Sequence, residues 1–132
     1  MSNRNLTWTF PGGKQLSNFE TLGAVATKSF TVPSGKRWVV QGLMSIEVDQ
    51  DQTIDIGLYD NNDKLLGEIT QIAAPGVGKY YFPHQITGTA ASLEFWKMLK
   101  GMVLDAGWYV KITWGGAQTT PEVSFPVLEL DL

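Results

Sequence analysis

The chain has no cysteine in its 132 residues. That excludes a disulfide framework, a thiolate metal site and a thiol nucleophile. It has a single histidine, His84. A zinc site resting on imidazoles therefore has almost nothing to draw on. Charge is scarce as well, at 17% of residues, where soluble chains carry about a quarter. The 10 Lys+Arg against 13 Asp+Glu leave a net charge of −3, the wrong sign for the basic field of a nucleic-acid binder. No apolar run approaches the roughly 20 residues of a membrane-spanning helix. The opening Met1-Ser2-Asn3-Arg4-Asn5 is polar and lacks the apolar stretch of a secretory signal. Neither nucleic acid nor membrane is an expected partner.

Aromatic residues, at 11%, and 14 glycines are plentiful. A low-charge, aromatic-rich, glycine-rich chain of this kind reads as all-β. The length suits one domain. Size scaling gives roughly 6,900 Å² exposed when folded against roughly 21,200 Å² unfolded, enough burial for one core without staples.

Alternation with period two dominates the chain. From Arg37 to Val48, Trp38, Val40, Gly42, Met44, Ile46 and Val48 share one face. Arg37, Gln41, Ser45 and Glu47 share the other with the apolar Val39 and Leu43. This predicts one long half-buried strand, set off by Pro33-Ser34-Gly35 from an earlier strand near 25–32. Thr53 to Tyr59 turns Ile54, Ile56 and Leu58 inward, and Thr53, Asp55 and Tyr59 outward. Asp60-Asn61-Asn62-Asp63-Lys64 follows as a hairpin loop, since Asn and Asp tolerate left-handed backbone and close turns on themselves. The return strand is 65–72, and a short aromatic strand spans 79–82. Between Trp108 and Trp114, Trp108, Val110, Ile112 and Trp114 face one way and Tyr109, Lys111 and Thr113 the other, with Gly115-Gly116 predicted to end the strand. A last strand covers 123–132. Its phase is expected to shift near Pro126, from Val123/Phe125 to Leu128/Leu130/Leu132, through a bulge at an edge position. Ser92 to Lys100 alone has helical spacing, with Leu93, Trp96 and Leu99 three apart.

About eight strands with such turn signals predict a two-sheet antiparallel β-sandwich, jelly-roll-like, over 18–132. An up-and-down barrel is the alternative. Residues 1–17 read as an N-terminal arm or first strand. The expected core is Trp38, Val40, Met44, Ile46, Ile54, Ile56, Leu58, Val110 and Ile112.

Catalytic chemistry finds little footing. His84 follows Pro83 and has no Gly-x-Ser-x-Gly nucleophile elbow to serve. Glu47 and Asp55 lie on successive predicted strands and could approach as a glycosidase pair, yet both fall on outward faces where solvated acids are ordinary. Asp49-Gln50-Asp51 begins like a calcium loop, but Ile54 stands where the loop needs glycine and Asp60 where it needs glutamate. Gly12-Gly13-Lys14 lacks the spacing and the Ser/Thr of a P-loop. No enzyme activity, metal or cofactor is expected. Of five tryptophans, Trp38, Trp108 and Trp114 fall on inward phases. Trp8 and Trp96 do not, and exposed together they would suit stacking on a sugar, so carbohydrate stays open as a partner.

The outward apolar groups ask for a cover, because a small monomer seldom exposes so much. Val39, Leu43, Leu128, Leu130 and Leu132 are the interface candidates in the domain. Leu6, Trp8 and Phe10, at period two, give the arm one apolar face suited to a neighbour's sheet edge.

Three stretches carry a resemblance: Phe30-Thr31-Val32-Pro33-Ser34-Gly35-Lys36-Arg37-Trp38, Ile54 to Leu58 with Asp60-Asn61-Asn62-Asp63, and Met102 to Val110. Together, over roughly 30–114, the chain resembles small β-sandwich structural proteins of tailed-bacteriophage virions, of the head-decoration, head-fibre or tail-accessory type. The resemblance implies a non-enzymatic virion protein made in the host cytoplasm, a homo-oligomer with a trimer favoured, and a major capsid or other virion protein as partner. It carries over no catalytic or binding residue. A carbohydrate-binding or receptor-binding β-sandwich module is the alternative function.

Overall fold

Each run of alternating residues becomes extended backbone, but the strands are shorter and more numerous than the alternation suggests. The computed structural model describes residues 13–41, 44–50, 53–72, 77–82 and 101–132. Among them are twelve strands: β1 Lys14–Leu16, β2 Glu20–Thr21, β3 Val25–Thr31, β4 Lys36–Val40, β5 Met44–Val48, β6 Ile54–Tyr59, β7 Leu65–Ile72, β8 Gly78–Phe82, β9 Val103–Leu104, β10 Tyr109–Gln118, β11 Glu122–Ser124 and β12 Val127–Asp131. They form three four-stranded sheets. The first has the order β1-β12-β4-β9, the second β2-β11-β5-β8 and the third β3-β10-β6-β7. Every pairing is antiparallel. The protein is all-β, with twelve strands among the described residues where about eight were expected. The stretch 92–100, read from its spacing as either a short helical turn or an irregular strand, lies outside the described residues.

Three of the extra strands come from a change of sheet made by three neighbouring segments, and β9 is a further two-residue strand of its own. The long strand predicted over 37–48 is β4 in the first sheet and β5 in the second. The last strand is likewise divided into β12 and β11, and 14–21 into β1 and β2. The divisions lie side by side. Gln41 donates its N–H to the Pro126 carbonyl at 3.0 Å, and Phe125 donates to the Ser17 carbonyl at 2.9 Å. The Asn18 side chain donates to the Phe125 carbonyl at 2.9 Å, and Asn18 has φ 51°, a left-handed value Asn accepts at low cost. Pro126, with no N–H to give, stands outside both strands at this corner.

The inward phase survives the corner. Trp38 and Val40 are followed in step by Met44, Ile46 and Val48, and Val123 and Phe125 by Val127; all are buried. The phase shift expected at Pro126 does not occur. β12 pairs with β4 without interruption, from Val127 opposite Val40 to Asp131 opposite Lys36, and it is an interior strand, with β1 as the edge. Polar residues at its later inward positions hid the phase. Glu129 accepts the Trp38 indole N–H at 2.9 Å, and Asp131 pairs with Lys36.

The core is continuous across all three sheets. All nine expected residues are buried, with Ile46, Ile56, Val110 and Ile112 at 0% exposure. Each such side chain taken from water contributes roughly 1.5–3 kcal/mol. Phe125, at the corner, lies 5.7 Å from the Phe30 ring and 6.2 Å from Trp38. Trp114 is buried and donates to the Glu47 carbonyl at 3.2 Å; Trp108 is half-buried against the same core. Gly115-Gly116 does not end β10, which runs on to Gln118 through a register irregularity and pairs there with Val25. The 60–64 loop is the predicted hairpin between β6 and β7. The Asp60 Oδ1 accepts the N–H groups of Asn62 and Lys64 at 2.8 and 2.9 Å, and Asp63 takes the left-handed position at φ 61°.

Candidate functional site

Of the acids singled out in the sequence, Glu47, Asp49 and Asp60 are used by the fold, and Asp51 lies outside the described residues. Glu47 and Asp55 fall on β5 and β6, which belong to different sheets, so their strands are not the neighbours a carboxylate pair would need. The Glu47 Oε1 accepts the Glu122 N–H at 2.8 Å. Asp49 accepts the N–H groups of Thr119 and Thr120 at 2.8 and 2.6 Å. Beside it the buried Gln118 side chain accepts from the N–H groups of Asp49 and Gln50 and donates to the carbonyls of Gln50 and Gly116. This clamp ties the end of β10 to the turn after β5. Among the described residues no group of three or more His, Asp or Glu side chains converges as metal ligands would. His84, Trp8 and Trp96 lie outside the described residues.

Two outward faces remain. On the first sheet, Trp38 and Val40 point inward, so Val39 points away from the core. Its cross-strand partners are Leu128 on one side and Val103 on the other. The result is an apolar row across three strands on the side facing away from the core. Exposure rises along it: Leu128 is 1% exposed, Val39 is half-buried and Val103 is 46% exposed. Leu128 is thus already covered, and it is not part of the core cluster; it cannot serve as a free interface residue. Leu130 is half-buried, while Leu132 is 66% exposed. Arg37 and Asp105, 3.0 Å apart, flank this row. Leu6, Trp8, Phe10 and Leu43 lie outside the described residues; Lys14–Leu16, inside the expected arm, pairs with β12 of its own chain.

Val103 was missed because Met102-Val103-Leu104 shows no alternation. Phe19, Val77, Leu65 and Leu66 are exposed too. The adjacent pair Leu65-Leu66 had a readable signal, since two successive leucines on a strand must send one outward.

On the third sheet the outward face is different in kind. Tyr59 on β6 and Tyr109 on β10 are direct cross-strand partners. Their rings stack with centroids 4.9 Å apart and planes 10° from parallel. Tyr59 covers Gly57: a Cβ there would meet its Cε1 at 2.8 Å. The Lys111 ammonium lies 5.9 Å from the Tyr59 ring centroid. Tyr109 donates its hydroxyl to Asp63 at 2.8 Å, and that bond, which only the neutral phenol can donate, is the main cause raising the Tyr109 pKa. Outward positions of β3, opposite β10, hold Thr27, Ser29 and Thr31, all exposed.

No family model matches the chain, and no curated protein matches it. The two outward faces therefore carry the functional reading. One is an aliphatic row suited to protein contact, the other an aromatic and hydroxyl-bearing surface.

Proposed function

We propose that the protein is a non-enzymatic structural component of a virion, a capsid-decoration or head/tail accessory protein, that docks on a protein lattice as a homo-oligomer. The fold within this reading is a jelly-roll-like two-layer sandwich, with the first and second sheets as one bent layer and the third as the other. The observation that supports it best is the open Val103–Val39 end of the apolar row on the side of the first sheet turned away from the core, beyond the already covered Leu128. An interior strand of a free-standing sandwich ordinarily alternates apolar-in and polar-out. Here β4 is apolar on both faces at Val39, and the row opens to solvent at Val103. A second copy seated on it removes apolar area that an isolated chain exposes, and symmetry repeats the gain at each subunit.

The trimer and the virion location rest on the resemblance of 30–38, 54–63 and 102–110 to phage structural proteins. So does the partner, a major capsid or other virion protein, and so does synthesis in the host cytoplasm. Docking through the arm rests on the Leu6, Trp8, Phe10 pattern. Light scattering on the full chain tests the oligomer: about three times the 14.6 kDa of one chain is expected, and a monomer at tens of micromolar (a range of about 10–100 µM, where a dissociation constant corresponds to roughly 5.5–7 kcal/mol) overturns it. A chain beginning at Gly13 keeps β1 and is expected to stay folded and oligomeric yet fail to bind the particle. Particle binding by that shortened chain would remove the arm from the docking role.

A further inference from the structure

We propose that the outward face of the third sheet, centred on Tyr59 and Tyr109, binds a neutral pyranose oligosaccharide. A pyranose ring offers one face of C–H groups and a rim of hydroxyls. It is held by a flat aromatic surface with hydrogen-bonding groups around it. The tyrosines supply the surface. Their orientation is fixed before any ligand arrives: Tyr59 rests over Gly57, Tyr109 stacks on Tyr59, and the Tyr109 hydroxyl is held by Asp63. Rings fixed in advance lose little conformational entropy on binding.

The surroundings select the ligand class. Lys111, opposite Gly57 in register, holds an ammonium over the Tyr59 ring, so the ring face left for a sugar is that of Tyr109 turned away from the stack, with the ammonium beside it to donate to sugar hydroxyls. Thr27, Ser29 and Thr31 add exposed hydroxyls along the adjacent strand. Asp63 lies at the other end of the pair, and the register sets Asp55 opposite Thr113 and Glu68 opposite Gly57 on the same side of the sheet, so carboxylates outnumber Lys111 and the face disfavours an acidic ligand. Covering Gly57 accounts for Tyr59 alone. Cross-strand stacking stabilises the ring pair in itself; what the ligand reading adds is a use for the hydroxyl-bearing strand beside it.

The full chain is applied to an array of neutral, sialylated and sulfated oligosaccharides, and the best neutral binder is titrated into the isotope-labelled chain. Retention on neutral glycans is expected, with amide shifts centred on 57–59 and 109–111. Tyr109→Leu keeps apolar bulk but no ring face, and is expected to weaken binding about tenfold, the scale of one aromatic contact. Phe19→Ser, outside the third sheet, is expected to bind as the parent does. Melting curves establish that both variants are folded. The proposal is overturned if no neutral glycan is retained or if only acidic glycans bind. Shifts mapping away from the two tyrosines, or a folded Tyr109→Leu that binds as the parent does, overturn it equally.

Discussion

The first and third sheets back onto one core and differ in what they turn outward. The first presents aliphatic side chains, Val103 and the half-buried Val39, beside a covered Leu128. The third presents hydroxyls, a lysine and a stacked tyrosine pair. Their inward faces are interchangeable in chemistry, branched aliphatics and a tryptophan each: Trp38 on the first, Trp114 on the third. Inward residues therefore tell how the chain folds, and outward residues tell what its two sides meet. An aliphatic row gains most from a dry protein contact, whereas hydroxyls gain most from a ligand that returns their hydrogen bonds.

The harshest way to break the comparison is to remove the core the two faces share. Ile56 is fully buried on β6, directly opposite Ile112. Ile56→Asp places a carboxylate there with no partner, at a cost of about 3 kcal/mol or more. Domains of this size have only about 5–15 kcal/mol of stability in all. Loss of the cooperative melting transition is expected. A variant melting with the parent would mean that the inward phase of β6 is misassigned.

Gln118 tests how the third sheet is held against the second. Its buried amide makes four hydrogen bonds, to the N–H groups of Asp49 and Gln50 and the carbonyls of Gln50 and Gly116. Gln118→Leu keeps the volume and leaves these groups without their partner. Gln50 is exposed and Asp49 and Gly116 are half-buried, so water rehydrates most of these groups. The net loss is that of about one buried unpaired group, about 1–3 kcal/mol, and a fall in melting temperature of roughly 5–10 °C is expected. An unchanged melting temperature would show that water at the turn after β5 replaces the side chain completely.

How much of this was legible in the sequence differs by face. The inward phase was plain, and every expected core residue is buried. The corner was not, because Trp38 to Val48 and Val123 to Val127 keep their phase while changing sheets, so alternation carries no mark of the turn. Glu129 and Asp131 misled further: they occupy inward positions near the sheet end, where indole and ammonium partners satisfy them. Burial of Leu128 was illegible for a related reason, since an outward phase does not say whether something lies on top. Tyr59 and Tyr109 were readable as outward residues. Their stacking needed the register of β6 against β10, which no local pattern gives.

Sharpening the first face takes a milder change. Val103 is 46% exposed at the open end of the row. Val103→Lys is expected to alter the stability of the single chain by no more than about 0.5 kcal/mol, while lowering the solution mass toward that of a monomer. A variant that keeps the parent's mass would place the subunit contact elsewhere, with the exposed Leu65, Leu66 and Val77 next in line.

The smallest effect concerns the second face and appears only in alkali. Asp63 accepts the Tyr109 hydroxyl, and this bond holds the phenol proton more tightly in the folded chain than in the unfolded one. A group whose folded pKa is raised contributes stability that is fully present below its unfolded value, about 10 for tyrosine, and is lost as pH rises through the folded value. Lys36, held by Asp131, has its pKa raised in the same sense, so the parent's melting temperature is expected to decline above about pH 10 from both groups. Tyr109→Phe removes one of them and keeps the stacked ring. Near pH 7 the variant is expected to melt slightly below the parent, and above about pH 10 the gap is expected to narrow. A gap that stays constant across this range would mean that Asp63 does not hold the Tyr109 proton in solution, and the ring pair would then owe its orientation to Gly57 and stacking alone.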